Sequence, residues 1–500
     1  MEPGQLVMAV GPLAVLHGPQ DAMPSPDALA DLVASRWPHL PREHRALLAA
    51  MHGAGRGGAE PVAKSEGAEG QPAASGEGGQ ADAAAADGVD VHALVSYNAY
   101  GDAYEDLPAA DLRGATPRSC VGLWPHFATL NHSCAPNCVH YVVGDTMVVR
   151  AVEAVQPGTE LHVSYLGRED LAPRQVRQAA LESRYGFRCD CARCRTEAEL
   201  PQQLQELLVQ LYDRSRHELA PRFERLASAA AHIVESGPSS ADLDSEEDEE
   251  EEEGEALGGE AAAAARRASG GAAAAGPALT AAESAKRALK KASGGASPRW
   301  SALLAALEPR LEEAARSLHL ALKELQEDDV ALDDDDARPA ADGGAAAAAA
   351  DATRRQRLTR LQAAQAASYQ LLELVALHAE LTAAAGPGLG PGLGPAGAPQ
   401  QAASSALAAC WHVLDTVARG SELQVFQASK LLGDALRTSR PRPGAPRSPP
   451  GGSAAPPPPE PVREAAALLG QALLARYGRQ RGQQLTALTQ AAMRAGKEFF

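Results

Sequence analysis

Six of the seven cysteines fall between Cys120 and Cys194, and three stand within six residues, Cys189-Asp190-Cys191-Ala192-Arg193-Cys194. Thiolates this close repel one another unless a cation neutralises them, and zinc does so with four tetrahedral ligands at about 2.3 Å. Three ligands imply a fourth from elsewhere in the chain. Cys134 and Cys138, both in Asn131-His132-Ser133-Cys134-Ala135-Pro136-Asn137-Cys138, are the candidates, with Cys120 more remote. A redox pair at Cys191 and Cys194 is the competing reading, but such pairs usually open a helix beside a βαβ pattern, and this segment has no such setting. Four cysteine ligands would leave no open position for a water, so a metal held this way is structural.

Composition narrows the partners. The chain has 46 basic and 64 acidic residues, a net charge of −18, which repels a phosphate backbone and argues against direct nucleic-acid binding. A basic peptide suits it better. No run of eighteen or more uncharged apolar residues occurs, and the N-terminus lacks a charged region followed by an apolar stretch, so neither a membrane span nor secretion is expected. An intracellular place, nuclear or cytoplasmic, follows, where cysteines are thiols or metal ligands. The glycosylation pattern at Asn131-His132-Ser133 is then accidental.

Pro3-Gly4 suits the centre of a type II turn, and Gln5 to Val10 reads as a strand leaving it. Residues 27–51 read as helix, with Leu29, Leu32 and Val33 on one face and a restart at Pro41-Arg42-Glu43. Residues 53–88 carry almost no large apolar side chain and cannot offset the entropy of ordering, so they read as a disordered insertion. Order returns at Val89. Thr146 to Val152 and Glu160 to Tyr165 read as two strands joined across Pro157-Gly158, and Arg174 to Arg184 as a short helix.

Beyond Thr196 the pattern turns helical. Leu204, Leu207, Leu208, Leu211 and Tyr212 lie at helical spacing, as do Leu371, Leu374, Val375 and Leu381. Residues 301–326, 404–418, 421–437 and 462–496 are further helical candidates. Together they suggest stacked helical hairpins of tetratricopeptide-like type, without a clean 34-residue period. The acidic run Glu246 to Glu253 and the basic tract Lys286 to Lys291 sit in low-complexity linkers.

The block Asn131 to Cys138, then Gly158-Thr159-Glu160-Leu161-His162-Val163-Ser164-Tyr165, then Tyr185-Gly186-Phe187-Arg188-Cys189 through Cys194, resembles in order and spacing the SET domain and post-SET zinc site of protein lysine methyltransferases, within them the SET-and-MYND branch. The resemblance covers residues 1–16 and 89–197. It implies a protein-lysine N-methyltransferase that uses S-adenosylmethionine and acts on a histone or another protein. The fold it implies is α+β, a β-rich SET fold with a pseudoknot and a post-SET zinc site, followed by the helical region. Asn131 and His132 would bind the cofactor, Tyr165 would face the transferred methyl, Tyr185 would line the lysine channel and Phe187 would pack against adenine. Asn98 resembles another cofactor contact. Cys134 would complete a structural Zn2+ site with Cys189, Cys191 and Cys194, with Cys138 the alternative fourth ligand.

The corresponding domain reading is a partial N-terminal SET segment (1–52), the insertion (53–88), the SET core (89–168), the post-SET segment (169–197) and the helical region (198–500), interrupted near 237–297, 328–352, 385–402 and 439–461. The family's first strand, with its Gly-x-Gly-type segment, would stand before Glu2, which reads as a truncated start. No cysteine precedes Cys120, so the MYND finger has no counterpart. A non-catalytic SET-like, zinc-containing interaction module is the alternative function.

Overall fold

The two Pro-Gly sites form the turns that their sequence suggests. Gln5 N–H donates to Glu2 O at 3.0 Å and Thr159 N–H to Gln156 O at 3.2 Å. Gly4 and Gly158 take φ of 79° and 86°, values that a side chain would resist. The computed structural model describes residues 1–20, 22–53, 88–223, 225–226, 298–335, 358–385, 398–439 and 458–499. Most of the expected insertion at 53–88, and most of the low-complexity linkers, lie outside the described residues.

The described residues divide into two units. The first contains Met1–Arg168 and Arg177–Cys189. Its strands are β1 (Leu6–Val10), β2 (Ala14–Gly18), β3 (Tyr100–Asp102), β4 (Ser119–Leu123), β5 (Asn131–His132), β6 (Cys138–Val143), β7 (Thr146–Ala151) and β8 (His162–Val163). They form two antiparallel three-stranded sheets, ordered β1-β7-β6 and β2-β4-β3, and one two-stranded parallel ladder, β5-β8. The expectation of two strands joined across Pro157-Gly158 needs correction. β7 pairs with β1 and β6, while the second strand shrinks to His162–Val163 and pairs in parallel with Asn131–His132. Asn137 explains the early end: it takes the His162 N–H and the Glu160 carbonyl, backbone groups that would otherwise extend the strand.

Helices α1 (Pro26–Arg36) and α2 (Arg42–Ala49) are separated by a short 3-10 turn at Trp37–His39, and Pro41 caps α2 as the restart suggests. Ser25 caps α1 by accepting the Asp27 N–H. α3 (Val91–Asn98) is capped by Asp90, and α4 is Leu107–Leu112. Leu29, Val33, Trp37, Leu48, Leu94 and Leu123 share one apolar core. Each contributes about 1.5–3 kcal/mol by leaving water. A second core gathers Cys120, Trp124, Phe127, Cys138, Met147, Val149 and Val163, with Tyr165 packed against it. α5 (Arg174–Tyr185) is the expected short helix before the cysteine triplet.

The second unit holds Glu169–Val176 and the described residues from Asp190 onward. It is built from α6 (Ala192–Ala198), α7 (Gln202–Arg214) running into a π-turn at Ser215–Leu219, α8 (Pro298–Asp335), α9 (Arg360–Ala367), α10 (Tyr369–Ala385), α11 (Ala398–Val417), α12 (Glu422–Thr438), α13 (Glu460–Tyr477) and α14 (Gly482–Phe499). Helices adjacent in sequence pack together: α10 on α11, α11 on α12, α12 on α13. Leu204, Leu208, Leu211 and Tyr212 form the buried face of α7, and Leu371, Leu374, Leu377 and Leu381 that of α10. The single helix expected over 462–496 is two. Gly478, at φ 75°, ends α13, and α14 starts at Gly482. Lys430 and Glu380 form a largely buried ion pair at 3.4 Å. No helix of the described residues is long and apolar enough to cross a membrane.

Candidate active site and metal centre

The ladder of β5 and β8 puts two sequence blocks side by side, with Asn131 opposite His162 and His132 opposite Val163. Beyond its last rung the polar contacts continue through side chains. Tyr165 N–H donates to Nδ1 of His132 at 3.0 Å, and the Tyr165 hydroxyl donates to Leu130 O at 2.6 Å. Four rings meet here. The His132 centroid lies 5.4 Å from Tyr165 and 6.1 Å from Phe187, and Tyr185 lies 5.1 Å from Tyr165. Tyr165 and Phe187 are perpendicular at 6.4 Å. His132 is buried, while Tyr165, Tyr185 and Phe187 are half-buried, so the cluster keeps accessible aromatic surface. Burial, and then the neighbouring Tyr185, push the Tyr165 phenol up to about 12. It is therefore neutral throughout the physiological range.

Asn131 is exposed, and its Nδ2 donates to Glu160 Oε1 at 2.6 Å. Asn98 stands at the end of α3, where its Nδ2 donates to His52 O and Leu94 O, both at 2.8 Å. The ring contacts gather His132, Tyr165, Tyr185 and Phe187; Asn98 is held by a different set of partners.

The Sγ atoms of Cys134, Cys189, Cys191 and Cys194 all lie within 4.8 Å of one another. Of the two candidates for a fourth thiol, Cys134 is the one that stands with Cys189, Cys191 and Cys194. Cys138 and Cys120 belong instead to the apolar core, where burial pushes their thiols up to about 11 and about 12. The backbone around the cysteines is fixed by groups whose roles the sequence did not disclose. Gln178, buried on α5, donates its Nε2 to Cys189 O at 2.6 Å and accepts the Cys189 N–H on Oε1 at 2.9 Å. Arg193, fully buried between Cys191 and Cys194 in sequence, pairs with Glu197 at 2.7 Å and donates to Asp170 O at 2.6 Å. Nothing in the local sequence marks this glutamine and this arginine for burial; it is a tertiary outcome.

Residues 83–166 match the SET domain family. The chain thus carries a SET domain, and the domain is of the type found in SMYD lysine methyltransferases. It is 42% identical over 77 residues to histone-lysine N-methyltransferase SMYD3 of Mus musculus, covering 15% of this chain and 18% of that protein. Over 75 residues it is 37% identical to N-lysine methyltransferase SMYD2 of Homo sapiens, covering 15% and 17%. Histone-lysine N-methyltransferase ASHR1 of Arabidopsis thaliana is 38% identical over 74 residues, 15% of each chain. The chain therefore spans less than a fifth of the length of these curated relatives.

Proposed function

We propose that this chain is an S-adenosylmethionine-dependent protein-lysine N-methyltransferase acting on a lysine of a histone or another protein, with a structural zinc on Cys134, Cys189, Cys191 and Cys194. The observation that carries the reading is the half-open cluster in which His132 and Tyr165, inside the stretch that matches the SET domain, meet Tyr185 and Phe187. Electron-rich ring faces suit cations, and both a sulfonium and a lysine ammonium are cations. The cysteine cluster suits zinc, whose tetrahedral thiolates stand about 3.8 Å apart at the usual bond length.

Bound S-adenosylmethionine would supply an electrophilic methyl group, and the lysine amine would accept it in line. The chain's own residues would bind, orient and exclude water. Asn131 and His132 would hold the cofactor, with Phe187 against its adenine. Asn98 would add a contact through its carbonyl oxygen, since its amide nitrogen is committed to His52 and Leu94. Tyr185 would line the channel, whose apolar walls favour the neutral amine over the ammonium, so the proton leaves to water before transfer. Because Tyr165 gives its own proton to Leu130 O, its oxygen would accept an N–H from the incoming amine and orient it. With an ionisation near 12 the phenol is not a base at neutral pH.

Titration calorimetry with S-adenosylmethionine on the full chain, paired with mass spectrometry of a lysine peptide, tests this. Saturable binding and methylated peptide are expected. Tyr165→Phe should retain binding but lower transfer roughly tenfold or more, or change the number of methyl groups added. No binding by a zinc-loaded chain would sink the enzyme reading in favour of a SET-like interaction module.

A further inference from the structure

Both ring nitrogens of His132 are engaged within the chain. Nδ1 accepts the Tyr165 N–H at 3.0 Å, so it carries no proton, and the neutral ring must then hold its proton on Nε2. Nε2 lies 3.2 Å from Cys134 Sγ. His132 is 8% exposed and Cys134 is fully buried, so water competes little for either atom. A sulfur that receives an N–H in such a place is best satisfied as an anion, and a metal-bound thiolate is one.

We infer that His132 is a positioning residue that joins the metal centre to the reaction site, its Nε2–H donating to the Cys134 thiolate while its Nδ1 holds the backbone of Tyr165. The inference rests on the zinc reading given above. It also alters the role expected for His132 at the cofactor: with both nitrogens used, the ring face and the backbone remain for that contact. The ladder gives the physical logic. Ser133 N–H donates to Val163 O at 3.0 Å, and the next N–H available on the opposite segment, that of Tyr165, meets an imidazole instead of a carbonyl. The ring thus acts as one more rung, anchored at its far end to sulfur. Losing the metal would loosen Cys134, then the ring, then the peptide that carries the Tyr165 hydroxyl.

A rival arrangement uses the same atoms. Tetrahedral nitrogen and sulfur ligands of one zinc stand about 3.5 Å apart, so Nε2 could itself bind the metal in place of one thiolate. The full chain loaded with cobalt(II) separates the two, because the thiolate charge-transfer band reports both sulfur count and hydrogen bonding to sulfur. His132→Asn places an amide oxygen near the position of Nδ1, keeping the acceptor for Tyr165 and removing the donor to Cys134. His132→Gln places an amide nitrogen near Nε2, keeping the donor and removing the acceptor. We expect a four-sulfur cobalt spectrum for the parent chain. In His132→Asn, zinc affinity in chelator competition should fall ten- to a hundredfold with a displaced charge-transfer band, and His132→Gln should stay within about threefold of the parent.

A three-sulfur, one-nitrogen centre in the parent would overturn the inference by making His132 a ligand. An unmoved band and unchanged affinity in His132→Asn would overturn it, and so would equal losses in both variants, since these describe a merely structural ring. A parent chain that binds no zinc would overturn the zinc reading first, and the inference with it.

Discussion

The site and the helical unit hold their polar groups in opposite ways. Around the site the bonds are long in sequence: Asn137 to Glu160 and His162, His132 to Tyr165, Tyr165 to Leu130. In the helical unit many are local. Thr359 and Gln362 exchange bonds in a capping box, Ser421 caps Gln424, and Asp415 pairs with Arg419. A two-residue strand has almost no local stability of its own, so β5 and β8 persist through distant side chains and the cysteine cluster. The helices gain from every turn, and packing of regularly spaced leucines adds the rest. Order at the site is a property of the assembled fold, and order in the helices begins with their own sequence.

The largest effect should come from the metal. Cys191→Ser is expected to lower bound zinc, read by metal analysis, from one per chain to under about a tenth, because structural zinc contributes on the order of 10 kcal/mol or more in small domains. Helical circular dichroism should change little. Retained zinc would refute the four-cysteine assignment, and a collapse of the helical signal would break the contrast between the regions. Next in size, Asn137→Ala removes partners from His162 N–H and Glu160 O and should cost about 2–3 kcal/mol in urea unfolding. A cost below that of a helix cap would show that the long-range bonds carry less than their geometry suggests. The smallest effect is expected for Thr359→Ala, about 1 kcal/mol from the lost cap, with zinc content and methyl transfer unchanged. A change in zinc content there would mean that the two regions are coupled.

Legibility followed the same division. Helical spacing marked Leu204, Leu208 and Leu211 on one helix and Leu371, Leu374 and Leu381 on another, and these are buried, while Leu207 and Val375 at the edges of the same stripes are half-buried. Pro-Gly marked both type II turns, since φ preference is a local property. The break between α13 and α14 is written in Gly478 to Gln484, seven residues without a large apolar side chain and with a glycine at the end of one helix and the start of the next. The strand expected over Glu160 to Tyr165 is shorter because the competitor for its backbone, Asn137, comes from another segment. At the site, motif order brought forward Tyr165, Tyr185, Phe187 and the cysteines. It could not reveal Gln178 holding the Cys189 backbone, or the two partners of one imidazole.

The sequence by itself determined the chemistry available: thiols at metal-binding spacing, an Asn-His pair, aromatic residues in a fixed order, and helices where leucines recur. Those follow from residue type and short-range geometry. Only the tertiary structure decided between Cys134 and Cys138, sending the first to the thiol cluster and the second into the apolar core. It also set the two neighbours of the His132 ring, with the Tyr165 N–H 3.0 Å from Nδ1 and Cys134 Sγ 3.2 Å from Nε2, because both come from packing that no local pattern encodes.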